Sequence, residues 1–188
     1  MKYKCLFFLL IFSQISYSQV IKEDKERLEK RFSPQNNWHS VVFMEELSIE
    51  GDNGMTWRNQ SESYMIDIEF EPNGATDFGV RVLLKEKLNQ EALVGYQANN
   101  EQLYINSSNV GKPDSGNAHG MFFAPMKIDR GRIRLQVFID KNSVEVFGND
   151  GEAAVISRVF PAENSTDWQI FSNGRAKVTK LQVWEWRE

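Results

Sequence analysis

Over most of the chain the apolar positions fall in period two. In Tyr64-Met65-Ile66-Asp67-Ile68-Glu69-Phe70-Glu71, positions 64, 66, 68 and 70 point one way, and Asp67, Glu69 and Glu71 point to water. Phe78 to Leu84 repeats the pattern, with 78, 80, 82 and 84 on one face and Arg81 on the other. Ile133, Leu135, Val137 and Ile139 alternate with Arg134, Gln136, Phe138 and Asp140, and Lys177 to Trp186 reads as a closing strand. Turn residues separate the runs: Glu71-Pro72-Asn73-Gly74, Asn99-Asn100, Lys141-Asn142 and Asn149-Asp150-Gly151. From Trp38 onward this predicts about ten short strands and no helix, an all-β, two-sheet antiparallel sandwich.

The first residues follow another rule. Lys2 and Lys4 precede the apolar run Leu6 to Phe12, and Ser16-Tyr17-Ser18 supplies small residues for cleavage. Residues 1–18 read as a signal peptide, with Gln19 the new N-terminus, because the apolar run is too short to span a bilayer. A membrane anchor is the alternative. Residues 19–38 form a leader, in which Ile21 to Phe32 is a short helix or a mobile segment stopped by Ser33-Pro34. Residues 39–188 are the sandwich, and Asn109 to His119 is its one long polar loop, of the kind that frames binding faces.

Composition narrows the chemistry. Cys5 is the only cysteine and lies in the signal, where it begins the apolar run instead of ending it as a lipid-accepting cysteine does. The exported domain therefore has no disulfide and depends on its core. Signal removal takes the formal charge from −4 to −6, and no basic patch remains. That excludes a nucleic-acid partner and favours a neutral ligand, with no membrane contact after cleavage. His39 and His119 lack ligand-spaced partners, so neither metal nor cofactor is expected. Nucleophile elbows, phosphate loops and dinucleotide fingerprints are absent.

One hairpin carries candidate chemistry. If Val144 and Val146 point inward, then Ser143, Glu145 and Phe147 point outward with Phe138 and Asp140. Asp140 and Glu145 are the carboxylate pair that a glycosidase minimally needs, and equally a solvated face. Two phenylalanines and a serine share that face, and Arg81 occupies the non-core face of another strand. Aromatic surface with converging polar groups is how proteins hold sugars.

The stretch "IRLQVFIDKNSVEVFGNDGEAAVISRVFP", Ile133 to Pro161, resembles the C-terminal β-sandwich of glycoside hydrolase family 32, the invertases, levanases and inulinases. "YMIDIEFEPNGATDFGVRVLL", "ALVGYQANNEQLYINSS" and "AKVTKLQVWEW" resemble its other strands, so the likeness runs from about Glu46 to Trp186. The resemblance implies a concanavalin A-like jelly roll. It also implies that catalysis belongs to a separate N-terminal propeller, whose Trp-Met-Asn-Asp-Pro-Asn-Gly, Glu-Cys and Arg-Asp-Pro motifs do not occur here. The chain is therefore expected to be no enzyme, and to be secreted to the periplasm or medium. The related carbohydrate-binding module family 66 recognises fructans such as levan, chiefly by terminal fructose. By that resemblance the ligand-binding positions are Arg81, Tyr96, Asp140 and Glu145, with Asp150 either a fifth or simply a turn residue. Expected partners are a fructan or other neutral carbohydrate, or a separate family 32 catalytic chain docked on Phe138 and Phe147.

Overall fold

The structure, a computed structural model, describes residues 37–51, 56–111 and 120–187. The expected signal peptide, the leader up to residue 36 and most of the Asn109–His119 loop lie outside them.

Thirteen strands build two antiparallel sheets among the described residues. Sheet A holds β1 (Trp38–Met44), β13 (Arg175–Trp186), β4 (Tyr64–Glu71), β9 (Ile133–Asp140), β10 (Ser143–Gly148) and β11 (Ala153–Arg158), in that order. β2 (Leu47–Glu50) pairs with the first half of β13, and β1 with its second half. Sheet B runs β3 (Thr56–Arg58), β12 (Asp167–Ser172), β5 (Asp77–Lys85), β6 (Gln90–Gln97), β7 (Gln102–Asn109) and β8 (Met121–Pro125). The predicted sandwich is therefore the observed fold, with more strands than the sequence pattern resolved.

Alternation works because only one face of each sheet meets the other. Tyr64, Ile66, Ile68 and Phe70 of β4, Ile133 to Ile139 of β9, and Val144 and Val146 of β10 pack onto Phe78, Val80 and Val82 of β5, Val94 of β6, and Ile105 of β7. The Phe78 ring sits 5.1 Å from Phe70 across the interface and 5.8 Å from Tyr96 beside it. At one end Trp57 stacks on Trp168 at 4.5 Å. With no disulfide, these side chains hold the sheets together, each large one worth about 1.5–3 kcal/mol on burial.

Two expectations about facing need correction. Leu83, not Leu84, joins the core: a bulge between Val82 and Lys85 puts Leu83 at φ 57° and breaks the alternation. Gln90 holds that conformation, its Nε2 donating to the Leu83 carbonyl and to Ser165 Oγ, both at 2.9 Å. Asp67 does lie on the outer face of β4, yet it is buried, because charged neighbours close over it.

The turns agree with their sequence signals. Asn73 and Gly74 take positive φ, and so do Asn149, Asp150 and Gly151 in the short 3-10 turn after β10.

Candidate functional site

The hairpin of β9 and β10 has the register expected of it. Asp140 faces Ser143, Ile139 faces Val144, and Phe138 faces Glu145. Val144 and Val146 enter the core, so Asp140, Phe138, Ser143, Glu145 and Phe147 share the outer face of sheet A. The rings of Phe138 and Phe147 meet edge to face at 5.6 Å. Across the sheet, one row reads Trp184, Met65, Phe138, Glu145, Ile156, and the next reads Gln182, Asp67, Gln136, Phe147, Ala154. Glu145 thus stands between an aromatic and an aliphatic neighbour, and Ile156 is 61% exposed. Asp140 is engaged locally: its Oδ1 accepts from Ser63 Oγ at 2.7 Å and from the Lys141 amide at 2.8 Å.

Further along the same face lies a charged network that the sequence did not signal. Arg134 donates Nε to Asp67 Oδ1 at 2.8 Å and Nη2 to Oδ2 at 2.7 Å, and pairs with Asp150 through Nη1. Lys180 Nζ reaches Asp67 Oδ2 at 3.1 Å. The Asp67 hydrogen bond, reinforced by its charge and that of Asp150, holds the Arg134 guanidinium above its already high ordinary value against the opposing effect of burial. Asp150 is therefore both a turn residue and an ion-pair partner.

Arg81 is elsewhere. It lies on the outer face of sheet B, between Gln169 and Leu93, on the far side of the sandwich from Asp140 and Glu145. Its Nη1 pairs with Glu91 Oε2 at 3.2 Å, and its guanidinium carbon sits 5.7 Å from the Phe171 ring centroid. The expected grouping of Arg81 with the two carboxylates is corrected by strand order. β5 and the hairpin belong to different sheets, and their outer faces point apart.

Tyr96 is corrected too. It follows Ala92 and Val94 in the inward parity of β6, is fully buried, and donates its hydroxyl to the Met126 carbonyl at 2.9 Å. Its ring and hydroxyl are thus committed to the core and not to an outer face.

Sheet B also carries a polar group that the sequence reading missed. Tyr104 points outward from β7 and donates to Asp77 Oδ1 at 2.9 Å, across the intervening strand. It can lie that flat because its partner is Gly95: a Cβ there would stand 3.0 Å from Tyr104 Cε1 and Oη. Gln97 Oε1 accepts from Gln102 Nε2 at 2.8 Å and from Asn100 Nδ2 at 3.0 Å. An outward glycine opposite an outward tyrosine was the available signal, visible only once the register was known.

Among the described residues, no three His, Cys, Asp or Glu side chains cluster to hold a metal ion, and no helix is long and apolar enough to cross a membrane.

A sandwich with these strands and this hairpin has known counterparts. The family profile described as Glycosyl hydrolases family 32 C terminal matches residues 27–185. The chain belongs to this family. Levanase of Bacillus subtilis (strain 168) is 35% identical over 170 residues, which cover 88% of this chain and 24% of that protein. Extracellular exo-inulinase inuE of Aspergillus ficuum is 24% identical over 151 residues, covering 76% of this chain and 28% of that protein. Among solved structures, exo-inulinase from Aspergillus awamori has a TM-score of 0.65 at 22% identity, over 80% of this chain and 29% of that one. Fructosyltransferase from A. japonicus has a TM-score of 0.67 at 18% identity, over 85% and 28%. These two likenesses carry the fold. This family 32 C-terminal domain spans about a quarter of the length of the curated relatives it matches.

Proposed function

We propose that this family 32 C-terminal domain is an exported, non-catalytic carbohydrate-binding sandwich that recognises β-fructans such as levan or inulin, or their terminal fructose. The observation that carries the reading is the outer face of the β9–β10 hairpin. There the Glu145 carboxylate sits beside Phe138 and the edge-to-face Phe138–Phe147 pair, in a domain 35% identical to part of a levanase. A carboxylate accepts from sugar hydroxyls, and an aromatic edge or face covers the ring carbons. Asp140, at the hairpin tip, supplies a second acceptor through Oδ2, since Oδ1 is already engaged. Calorimetry of the purified chain with levan, inulin and sucrose is the test. Saturable heat with a fructan, reduced about tenfold in affinity by Glu145→Gln, supports it, since one charge-assisted hydrogen bond is worth roughly 1.5–3 kcal/mol. Absence of any saturable fructan binding refutes it. Release of reducing sugar that survives purification and vanishes in Glu145→Gln would overturn the non-catalytic half.

A second reading uses the same face for protein. The row from Trp184 to Ile156 is largely apolar, and Phe43 on β1 is 62% exposed. That suits an accessory domain docked on a separate family 32 catalytic chain. Phe43→Asp, several strands away from Glu145, would then abolish co-migration with such a chain while leaving fructan binding by the domain alone intact.

A further inference from the structure

The opposite side of the sandwich carries its own arrangement of ligand-type groups. Asp77 begins β5 at the edge of the outer face of sheet B. Its carboxylate is half-buried and accepts from the Tyr104 hydroxyl at 2.9 Å, with Gln97 as its cross-strand neighbour. That donor is neutral, and among the described residues no lysine or arginine pairs with the carboxylate. By contrast, three other carboxylates on strand faces have a cation: Asp67 has Arg134 and Lys180, Glu69 has Arg132, and Glu91 has Arg81. A carboxylate kept from water yet given no counter-charge stands out against that pattern.

Its surroundings are oriented, and they are carboxamides. Gln97 stands opposite Asp77 across β5 and β6, and its side-chain oxygen gathers Gln102 and Asn100. The Gln102 and Asn100 side chains are thereby held by their amide nitrogens. Register places Asp77, Gln97, Gln102 and Pro125 in one row across β5 to β8. Three inter-strand steps make that row about 14 Å long, room for more than one sugar ring. In the neighbouring row Phe123 pairs with Tyr104, its ring 6.4 Å away and 48% exposed. A fixed acceptor, a line of amides and an exposed ring beside them match a ligand with many hydroxyls and an apolar ring face.

We propose that Asp77, Gln97, Gln102 and Phe123 form a second saccharide site, which takes the hydroxyls of a neutral sugar on the face opposite Glu145. The choice of ligand class rests on the fructan-binding reading; the choice of residues does not. The carboxylate and the two amides bind adjacent hydroxyls, and Phe123 lies under the ring carbons. Asn100 positions Gln97 without touching the sugar.

Calorimetry of the full chain with levan, inulin, fructose and dextran tests this, using Asp77→Asn and Phe123→Ala against Leu88→Ala on a remote turn. Asp77→Asn keeps an acceptor for Tyr104, and Phe123 is exposed, so both variants should fold, as a cooperative melt would show. Each should weaken saccharide binding by about tenfold or remove one of two binding steps, while Leu88→Ala leaves it unchanged. If the wild type binds and only Glu145→Gln weakens it, the second site is refuted and the fructan reading stands. If Asp77→Asn and Phe123→Ala weaken it and Glu145→Gln does not, the second site stands and the hairpin face is refuted as the sugar site. No binding by the wild type overturns both. Asp77-dependent binding of tetramethylammonium in place of any sugar would overturn the assignment of ligand class, since an unpaired carboxylate beside an aromatic also suits a quaternary amine.

Discussion

Asp67→Asn should cost this domain far more than a charge on a strand's solvent side normally does. The Asp67 side chain is only 3% exposed, and its two oxygens take three contacts, two from Arg134 and one from Lys180. Charge-assisted bonds of this kind are each worth roughly 1.5–3 kcal/mol, and removing one partner of a fully buried pair costs about 3–5 kcal/mol. Here the cations are not fully buried: Arg134 is 22% and Lys180 39% exposed, so both regain some water when the carboxylate goes. Asparagine also keeps one acceptor but turns an amide nitrogen toward the guanidinium. The net expectation is a loss of about 2–3 kcal/mol. With a urea slope near 2 kcal/mol/M, the unfolding midpoint should fall by about 1–1.5 M at unchanged slope. A double-mutant cycle with Arg134→Met should return a coupling of at least ~1 kcal/mol. A loss below about 0.5 kcal/mol would mean the pair behaves as an exposed one and the reasoning from burial is wrong.

Three further outcomes follow from the same geometry. Tyr96→Phe should destabilise by about 1–2 kcal/mol, because the Met126 carbonyl loses its donor, and should leave levan affinity untouched; weaker binding at full stability would restore a ligand role to Tyr96. Gly95→Ala should cost about 1–3 kcal/mol in chemical denaturation, since its Cβ would stand 2.8 Å from the Phe78 carbonyl oxygen and would push Tyr104 off Asp77. An unchanged midpoint would show that the two strands give way freely. Burial, opposed by the hydrogen bonds from Tyr104 and Gln97, pushes the Asp77 carboxyl above its ordinary value. The folded state therefore keeps that proton to higher pH than the unfolded chain does, and the stability it contributes is lost as pH rises through the raised value. Asp77→Asn should flatten that part of a melting-temperature profile, and a slope identical to wild type would contradict the shift.

Alternation in sequence reports which side of a strand meets the core, and for β4, β9 and β10 that sufficed. It failed where one residue was added. Nothing in Val82-Leu83-Leu84 distinguishes a bulge from a regular strand, because all three side chains are apolar; the bulge is set by Gln90 and Ser165, the latter far off in sequence. Tyr96 misled for a different reason. A tyrosine suits a binding face and a core equally, provided that its hydroxyl finds a partner, and the Met126 carbonyl comes from a segment thirty residues away.

Period two also says nothing about which strands lie side by side. Arg81 and Arg134 both sit at non-core positions, and only strand order decides which of them shares a face with Asp140 and Glu145. β9 carries Asp140 itself, so its outward positions, Arg134 included, were committed to the hairpin face by chain continuity alone. Arg81 needed β5 to be in the same sheet, and it is in the other. The arginine nearest the hairpin in sequence was thus the better candidate for its face. Asp67 and Asp150 then occupy it, as its hydrogen bonds show. A guanidinium held by two carboxylates has little left to offer a sugar hydroxyl. The recognition proposed for sheet A therefore rests on Glu145 and the aromatic row, and that proposed for sheet B on Asp77, which among the described residues accepts from Tyr104 and pairs with no lysine or arginine.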